Sequence, residues 1–304
     1  MNEKELKMSD GFHIHTISSA PLVKPKAHIH LLHGMAEHIG RYREFIDFLV
    51  KEGFSVSGHD HRGHGETAKL NGKLGHFGDN TGFDRIVEDA QEVIHFYKEK
   101  FGATKFIVIG HSMGSFIARR YAQMFGNELD ALVCIGTAGD PGVTGTGGTV
   151  VAQLRGRLTQ FDEPDQIINA LVFGGFNKSV VNAKTPFDWL ATDEKTVEKY
   201  MVDPFCGFIP TTDFFIDLFE GLKNIHDTKN MQHIPKELPV LFLSGIKDPV
   251  GNKGKGVWQV ANQFVNEGIS NVTVMLYEDK RHEMLQETNR KDVFEFIKDW
   301  IVKR

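Results

Sequence analysis

Short apolar runs alternate along the chain with longer stretches in which apolar positions recur at helical spacing. Six buried strands are predicted at residues 27–32, 54–58, 106–109, 129–135, 239–244 and 272–277, and residues 11–17 alternate apolar and polar positions as an exposed antiparallel strand does. Amphipathic helices are predicted at residues 42–51, 83–101, 115–123, 257–267 and 290–302. This alternation predicts an α/β fold with a mostly parallel sheet flanked by helices.

The alternation stops between residues 137 and 236, where no strand of similar quality is found. Four short helices are predicted there, at residues 149–158, 164–173, 192–201 and 212–224, with Thr192 as the N-cap of the third. A stretch rich in Gly and Thr at residues 139–148 is predicted to be a flexible connection. Residues 137–236 are therefore expected to form a helical cap inserted after the strand at 129–135. We number this strand the sixth of the sheet, although only four of the strands predicted above precede it. Residues 1–136 and 237–304 are expected to form the core.

The predicted cap is rich in phenylalanine. Its rings are Phe161, Phe173, Phe176, Phe187, Phe205, Phe208, Phe214, Phe215 and Phe219. Most of them are expected to pack the cap onto the core, and some to face a site and build an apolar pocket.

One segment combines a strand, a sharp turn and a helix. The turn reads Gly-His-Ser-Met-Gly from Gly110 to Gly114, which matches G-x-S-x-G between the strand at 106–109 and the helix at 115–123. Two flanking glycines lack the Cβ atoms that would clash in so tight a turn. The pattern predicts a nucleophile elbow that exposes the hydroxyl of Ser112; the alternative is a chance match in a loop before a helix.

A serine hydroxyl needs a base within hydrogen-bond reach, and the base needs an acceptor that fixes its tautomer. With a nucleophile elbow these partners follow in the order Ser, Asp or Glu, His, each after a strand. Asp248 follows the strand at 239–244 and His282 follows the last strand. We therefore predict Ser112 as nucleophile, His282 as general base and acid, and Asp248 as its orienting carboxylate.

Other residues compete less well for these roles. Asp140 is the rival acid, because it also follows a strand, whereas Asp279 is too close in sequence to His282 to bridge back easily. His226 and His233 are rival bases, but neither follows a predicted strand end.

Two backbone amides are predicted to hold the oxyanion that forms during acyl transfer. One donor comes from the residue after the nucleophile, Met113, and the other from the loop that begins at His33, where Met35 is the candidate. The alternative for residues 33–38 is a plain loop between a strand and a helix.

Two further loops are given no catalytic role. Residues 60–65 read Asp-His-Arg-Gly-His-Gly, but this turn lacks the G-K-[ST] ending of a phosphate loop, so its polar side chains are expected to tie the turn together. Residues 71–81 are rich in glycine and are predicted to be a loop.

Composition narrows the class of protein. The chain of 304 residues carries a net charge of −5, which argues against a nucleic-acid partner. Cys134 and Cys206 cannot form a disulfide framework and are expected to be buried thiols in a reducing compartment. With no signal peptide, membrane-spanning run or metal motif recognised, a cytoplasmic protein that needs no metal or other cofactor is expected.

Five stretches of the chain resemble a known family. They are HGMAEHIGRY from His33, DHRGHGET from Asp60, GHSMGS from Gly110, GIKDPVGNKGKGV from Gly245 and RHEMLQE from Arg281. As a set they resemble the α/β-hydrolase family of monoacylglycerol lipases and bacterial lysophospholipases, also grouped with serine aminopeptidases. The cap segment at residues 197–208 looks like bacterial lysophospholipases. The chain departs from the family pattern in two respects. It has Ser115 where the family often has a further glycine, and its cap is longer than in animal monoacylglycerol lipases.

The resemblance implies an α/β-hydrolase fold in which Met35 and Met113 carry the oxyanion amides. It also implies that Glu37, Arg41 and His111 lie near the pocket for the polar alcohol of the substrate.

The sequence therefore predicts a serine hydrolase of lipid-type carboxylic esters, with monoacylglycerol as the first choice of substrate. Lysophospholipids and short-chain esters remain open for the same three residues, and an aminopeptidase or a non-catalytic binding protein is less favoured. The expected partner is a small lipid ester, with transient contact between the cap and a micelle or membrane surface. The oligomeric state is left open.

Overall fold

The computed structural model describes residues 1–78, 81–158 and 160–304, with the side chains of all of these except residues 143–146, 149 and 158. Within these residues eight strands form one sheet. They are β1 Asn2–Lys7, β2 His13–Ser19, β3 His28–Leu32, β4 Ser55–His59, β5 Phe106–His111, β6 Ala131–Ile135, β7 Val240–Gly245 and β8 Val272–Tyr277. Their spatial order is β1-β2-β4-β3-β5-β6-β7-β8. The last six strands in this spatial order, β4, β3, β5, β6, β7 and β8, are parallel to one another. β2 pairs antiparallel with β4, and β1 pairs antiparallel with β2.

Helices occupy the intervals between the parallel strands, and one more helix follows β8. They are α1 Arg43–Lys51, α2 Gly65–Asn71, α3 Phe83–Phe101, α4 Met113–Phe125, α5 Gly142–Leu158, α6 Gln166–Phe173, α7 Glu194–Val202, α8 Thr212–His226, α9 Thr228–Met231, α10 Lys255–Asn266 and α11 Arg290–Val302. The α/β-hydrolase fold is confirmed, including the helices α5 to α9 inserted as a cap between β6 and β7.

The core lies on both faces of the sheet. In β5, Phe106 and Val108 pack among residues of α3, α4 and α10, whereas Ile107 and Ile109 pack among residues of α1 and α11. Side chains alternate between the two faces of a strand, so a continuous apolar run is what a strand covered on both sides requires. The parallel strands end at one edge, where the loops after β3, β5, β7 and β8 meet.

One strand is not predicted by the sequence pattern, and one prediction of secondary structure is wrong. The charged segment of β1 pairs with β2 along its length and buries only Leu6. An exposed edge strand is specified by its backbone ladder and carries little hydrophobic pattern. The glycine-rich stretch at 139–148 is not all flexible connection, because α5 begins at Gly142. Its packing against α8 overrides the poor helix propensity of glycine: a Cβ at Gly148 would lie 3.3 Å from the ring of Phe219.

Smaller differences concern caps and loops. Asp193, not Thr192, is the N-cap of α7, because its carboxylate accepts a hydrogen bond from the amide of Lys195 while the hydroxyl of Thr192 donates to Glu287. The predicted loop at 71–81 begins at the last residue of α2, and residues 79 and 80 lie outside the described residues. Cys134 is buried as predicted, whereas Cys206 is only partly buried.

A search of the described residues for membrane spans finds no helix with the length and apolar character to cross a bilayer.

Candidate active site

Ser112 lies at the turn between β5 and α4 in a strained backbone conformation. Its φ of 52° and ψ of −121° are unusual for a residue with a side chain. The amide of Ser112 donates to the carbonyl oxygen of Ile135 at 2.9 Å, which ties the turn to β6. Ser115, the departure from the family pattern, donates its hydroxyl to the carbonyl oxygen of Ser112 at 2.6 Å. The turn is thus braced from both sides.

The two glycines that flank the turn are required by close backbone contacts. A Cβ at Gly110 would lie 2.1 Å from the carbonyl oxygen of Gly114, and a Cβ at Gly114 would lie 2.1 Å from that of Leu32. These separations are far below van der Waals contact, so neither position accepts a larger residue without movement of the backbone. This is the geometry of the predicted elbow.

His282 and Asp248 form a buried pair on the loops after β8 and β7. Because a carboxylate only accepts, Nδ1 of His282 donates to Oδ2 of Asp248, at 2.9 Å. The carboxylate is itself fixed, since Ser244 donates its hydroxyl to Oδ2 at 3.0 Å and the amide of Val250 donates to Oδ1 at 2.8 Å. The loops approach closely at Gly245, where a Cβ would lie 2.2 Å from the carbonyl oxygen of Lys280.

The rival residues lie elsewhere. Asp140 is exposed and accepts from the amide of Gly142, and Asp279 is exposed and pairs with Lys247. His226 contacts Arg119 and Gln263 under the cap, and His233 is exposed.

The imidazole of His282 is held between two other rings. The His111 ring centroid lies 4.8 Å away and that of Trp189, from the cap, 5.1 Å away. A Cβ at Gly136, which has a φ of 61°, would lie 3.0 Å from the His282 ring. These contacts restrict the ring to a narrow range of positions.

The predicted oxyanion donors lie on the two loops nearest Ser112. Met113 is the first residue of α4, so its N–H has no partner within the helix. Met35 lies in the loop after β3, and Gly34 approaches Ser112 so closely that a Cβ there would lie 3.1 Å from the serine Cβ. Both methionines line the same cavity as Ser112 and His282.

Glu37 organises that loop. Its Oε1 accepts from the amide of Gly34 at 2.6 Å and from the hydroxyl of Tyr42 at 2.7 Å, and it contacts Nδ1 of His111 at 3.0 Å. Its Oε2 accepts from Arg41 at 2.5 Å. With both oxygens occupied, this carboxylate holds the loop and His111 in place.

Arg41 lies behind Glu37 and is not among the described residues that line the cavity. Its guanidinium donates twice to Glu283, at 2.6 and 2.7 Å, and lies over the ring of Tyr200 at 5.0 Å. Of the three residues implied for the alcohol pocket, Glu37 and His111 line the cavity and Arg41 supports them from behind.

Burial and charge oppose each other in this group. Burial disfavours the charged form of His111, but the Glu37 carboxylate outweighs it and raises the pKa of His111 above its usual value. Burial likewise opposes ionisation of Glu37, yet Arg41, followed by His111, lowers the pKa of that carboxyl. The group is therefore a compact set of ion pairs beneath the cavity.

A cavity of about 940 Å³ lies between the carboxyl edge of the sheet and the cap. Its apolar wall includes Ile168, Phe173, Phe176, Trp189, Leu218 and Phe219. Ser112 and His282 lie in the wall together with the polar groups of Glu37, His111 and Glu283. A cavity of this size and lining suits a long apolar ligand with one polar end.

More of the cap phenylalanines face the cavity than the sequence predicts. Five of the nine line it: Phe173, Phe176, Phe187, Phe208 and Phe219. Phe214 and Phe215 are fully buried in packing clusters, and Phe161 is partly exposed.

Four further residues of the site were not singled out from the sequence. Glu283 could have been found from the sequence, because it follows His282 directly and lies in the RHEMLQE stretch that resembles the family. Ser244 could also have been found, because it ends the predicted strand before Asp248. Trp189 and Tyr200 come from the cap, where the hydroxyl of Tyr200 donates to the carbonyl oxygen of Ala36 at 2.9 Å. No local pattern connects these two residues to the loops they contact.

Comparison with known proteins identifies the family of the chain. The family described as "Serine aminopeptidase, S33" matches residues 23–289. A monoacylglycerol lipase of Mycolicibacterium smegmatis is 26% identical, over 93% of this chain and 90% of its own. The human monoglyceride lipase is 25% identical, over 97% of this chain and 89% of its own. A thermostable carboxyl esterase from Bacillus coagulans, solved in complex with glycerol, superposes with a TM-score of 0.93 at 29% identity, over 99% of this chain and 98% of its own. The chain therefore belongs to the α/β-hydrolase family described as serine aminopeptidase S33.

Proposed function

We propose that this chain, a carboxylic ester hydrolase of that family, cleaves lipid-type esters and converts monoacylglycerol to fatty acid and glycerol. The observation that carries the proposal is the largely apolar cavity onto which Ser112 and His282 open. Its wall suits an acyl chain, and its polar groups lie near the reacting residues. The similarity to monoacylglycerol lipases, and to an esterase solved with glycerol, supports the same substrate.

The first half of the reaction forms an acyl-enzyme. Nε2 of His282 takes the proton of the Ser112 hydroxyl as its oxygen attacks the ester carbonyl carbon, and Asp248 stabilises the imidazolium. The carbonyl oxygen becomes an oxyanion that accepts hydrogen bonds from the amides of Met35 and Met113. The tetrahedral intermediate collapses, the bond to the alcohol oxygen breaks, and His282 gives its proton to the leaving glycerol.

The second half releases the fatty acid. A water molecule enters after glycerol leaves, and His282 takes its proton as the hydroxide attacks the acyl carbon. The second tetrahedral intermediate breaks the bond to Ser112, which recovers its proton from His282. The sum of the two halves is one ester bond hydrolysed by one water molecule.

The polar end of the cavity is proposed to bind the alcohol part of the substrate. Glu37 and His111 line it, and Arg41 acts as a positioning residue through Glu37 and Glu283. Both carboxylates are already paired with Arg41, and the guanidinium donates to both. A phosphate-bearing head group meets no spare positive charge there, and the ammonium of a peptide substrate finds all four carboxylate oxygens already accepting hydrogen bonds. A neutral glycerol fits this end better than a lysophospholipid head group or a peptide N-terminus.

The cap is proposed to span residues 137–236, with residues 1–136 and 237–304 as the core, and to contact micelles or membranes transiently. Val151 and Leu171 line the cavity and are also exposed, Leu171 at 70%. Val150, Leu154 and Ile167 on the same two helices are exposed as well. An apolar rim around the cavity mouth allows a monoacylglycerol to pass from a lipid surface to the site without crossing water.

The free thiols fit a reducing compartment. Cys134 lies in β6 and Cys206 in the cap, and both are unpaired. We therefore place the protein in the cytoplasm. Cell fractionation with a compartment marker tests this placement.

Labelling with an alkyl fluorophosphonate tests the proposed chemistry. The expected result is one adduct per chain, located on Ser112 by peptide mass spectrometry, with loss of monoacylglycerol hydrolysis in step with labelling. The matched control is Ser115→Ala, which removes the neighbouring buried hydroxyl and should leave Ser112 labelled. An adduct on another residue, or hydrolysis that survives complete labelling of Ser112, contradicts the proposal.

A further inference from the structure

A second group of chemically active side chains lies outside the cavity wall. His38, Asp203 and Cys206 each offer one ligand atom, and these three atoms all lie within 4.8 Å of one another. We call these residues the His-Asp-Cys cluster. All three are partly buried, so the group is shielded but open to small ions from solvent.

Local backbone structure brings the cluster together. The amide of Cys206 donates to the carbonyl oxygen of Asp203 at 3.0 Å, and this turn places the two side chains together. The amide of Phe205 occupies Oδ1 of Asp203 at 2.9 Å, which leaves Oδ2 for other partners. His38 comes from the loop after β3, its ring edge-on to that of Phe205 at 5.7 Å and its Nε2 2.9 Å from Oδ2 of Asp203.

The donor set is one nitrogen, one carboxylate oxygen and one sulfur. We propose that the His-Asp-Cys cluster is a binding site for a thiophilic divalent cation, Zn²⁺ in the first place. Imidazole, carboxylate and thiolate are the ligands that Zn²⁺ takes in proteins, and bonds of about 2.0–2.3 Å put tetrahedral ligand atoms about 3.3–3.8 Å apart. Separations near the 4.8 Å limit must therefore shorten by about 1 Å, and Nε2 of His38 must move about 0.4 Å away from Oδ2 of Asp203, with water as the fourth ligand.

The protons and charges balance. On binding, the Cys206 thiol releases its proton to solvent. The single ring proton of a neutral His38 moves from Nε2 to Nδ1, which leaves Nε2 to bind the cation without loss of a proton from the ring. The cation is neutralised by one thiolate and one carboxylate. Arg41, Glu37 and Glu283 also act on Cys206, and the sum of their charges is negative, so they do not repel a cation.

The site joins the cap to the loop that carries Met35. The amide of Gly207 donates to the carbonyl oxygen of Ala36 at 2.9 Å, next to Cys206 on one side and Met35 on the other. Gly207 and Phe208 line the cavity. A cation held by His38 on the loop and by Asp203 and Cys206 on the cap clamps this contact. Binding is expected to raise the melting temperature.

Cobalt spectroscopy on the reduced full-length chain tests the site. Co²⁺ replaces Zn²⁺ in such sites and gives a near-ultraviolet thiolate charge-transfer band. We expect this band to saturate at one equivalent and to disappear when one equivalent of Zn²⁺ displaces the cobalt. Cys206→Ser should abolish the band, and His38→Ala should weaken cobalt binding at least tenfold.

His13→Ala is the matched control, because His13 is another histidine paired with a carboxylate, Glu5, but on the surface at β2. It should leave the band and the affinity unchanged, and thermal unfolding establishes that each variant is folded. The proposal is overturned if the native chain gives no charge-transfer band, if the band persists in Cys206→Ser, or if His13→Ala weakens binding as much as His38→Ala.

Discussion

The hydrogen bond between His282 and Asp248 fixes the tautomer of the histidine. Because Nδ1 carries the proton that Asp248 accepts, Nε2 is left unprotonated, as the proposed general base requires. A carboxamide at position 248 could present an N–H to Nδ1 and favour the wrong tautomer.

We therefore expect Asp248→Asn to lower kcat for ester hydrolysis by about 10⁴-fold while the fold is retained. Asp140→Asn is the control, since Asp140 is the exposed rival acid, and its kcat should stay within about twofold of the native value. Steady-state kinetics with a soluble ester measures both variants. Equal losses in the two would contradict the assignment of the acid.

The elbow glycines make a second prediction. Gly114→Ala places a methyl group where Leu32 presents its carbonyl oxygen, so the backbone must move. We expect a loss of about 1–3 kcal/mol in the free energy of unfolding and a loss of activity, since the same turn carries Ser112. Urea unfolding followed by fluorescence measures the change. A variant with native stability and activity would show that the turn is not as tight as described.

The predicted catalytic residues could be found from the sequence because each follows a strand, in an order that the chemistry requires. Ser115 stands beside the motif, but its hydrogen bond to the Ser112 carbonyl depends on the geometry of the turn. Trp189 and Tyr200 could not be found, because their roles arise from contacts between segments more than ninety residues apart.

Asp165 joins three helices of the cap. Its side chain accepts from the amides of Ile167 and Ile168 at the start of α6, from the guanidinium of Arg155 on α5, and from the hydroxyl of Thr212 on α8. The side chain is almost fully buried. Burial opposes its ionisation, but the bonds from Arg155 and Ile168 lower the pKa of Asp165.

We expect Asp165→Ala to destabilise the cap by about 2–4 kcal/mol, from a lost N-cap and lost charged hydrogen bonds. Hydrogen exchange should accelerate in α5 and α6 and stay native in β5 and β6. Asp227→Ala is the control, because Asp227 also caps a helix but is exposed. Faster exchange throughout the chain would show that cap and core unfold as one unit.

Helix α5 contains glycines that differ in their surroundings. A Cβ at Gly147 meets nothing within 4 Å, whereas one at Gly148 approaches Phe219. Gly147→Ala is therefore expected to stabilise the protein by about 0.5–1 kcal/mol through helix propensity. Gly148→Ala should gain less or lose stability. Thermal unfolding compares them, and an equal gain at both positions would contradict the packing of α5 on α8.

The core elements could be predicted because buried strands and amphipathic helices have strong periodic signals; the bounds of α3, α11 and β8 are those predicted. β1 and the start of α5 could not be predicted from the sequence. A solvent-exposed edge strand needs no apolar pattern, and a glycine-rich helix forms only because another helix packs against it.

A line of buried histidines crosses the sheet between β3 and β4 and continues into the following loop. Ser57 bridges His28 and His30 at 2.8 Å on each side, His30 contacts His59 at 3.0 Å, and His59 contacts His61 at 3.1 Å. Burial lowers the pKa of His28 to about 3 and that of His59 to about 4. It also lowers the pKa values of His30, His33, His61 and His64.

The folded protein therefore resists protonation at six histidines that the unfolded chain protonates below about pH 6.5. Stability from these groups is fully present above that pH and is lost as pH falls toward their folded pKa values. His15 and His111, whose pKa values are raised, act in the opposite sense but are fewer.

We expect the free energy of unfolding to fall between pH 7 and pH 5, by at most about 2 kcal/mol for each of the six histidines that the folded protein keeps neutral. Urea midpoints across this range measure it. Burial raises the pKa of Asp217 to about 7, so this carboxyl takes up a proton in the same range and acts in the opposite sense. His95→Gln, at an exposed position, is the control and should leave the slope unchanged. A midpoint that stays constant would mean that the buried histidines do not control acid stability.

The central claim is that one cavity joins an acyl-binding wall to Ser112 and favours monoacylglycerol. The most direct test compares kcat/KM of the native protein for monoacylglycerols of increasing chain length, a lysophosphatidylcholine, a short p-nitrophenyl ester and an aminoacyl nitroanilide, with Ser112→Ala as the blank. We predict the highest value for a medium or long monoacylglycerol and no turnover above background in the blank. A preference for the nitroanilide, or hydrolysis that survives in Ser112→Ala, would contradict the account.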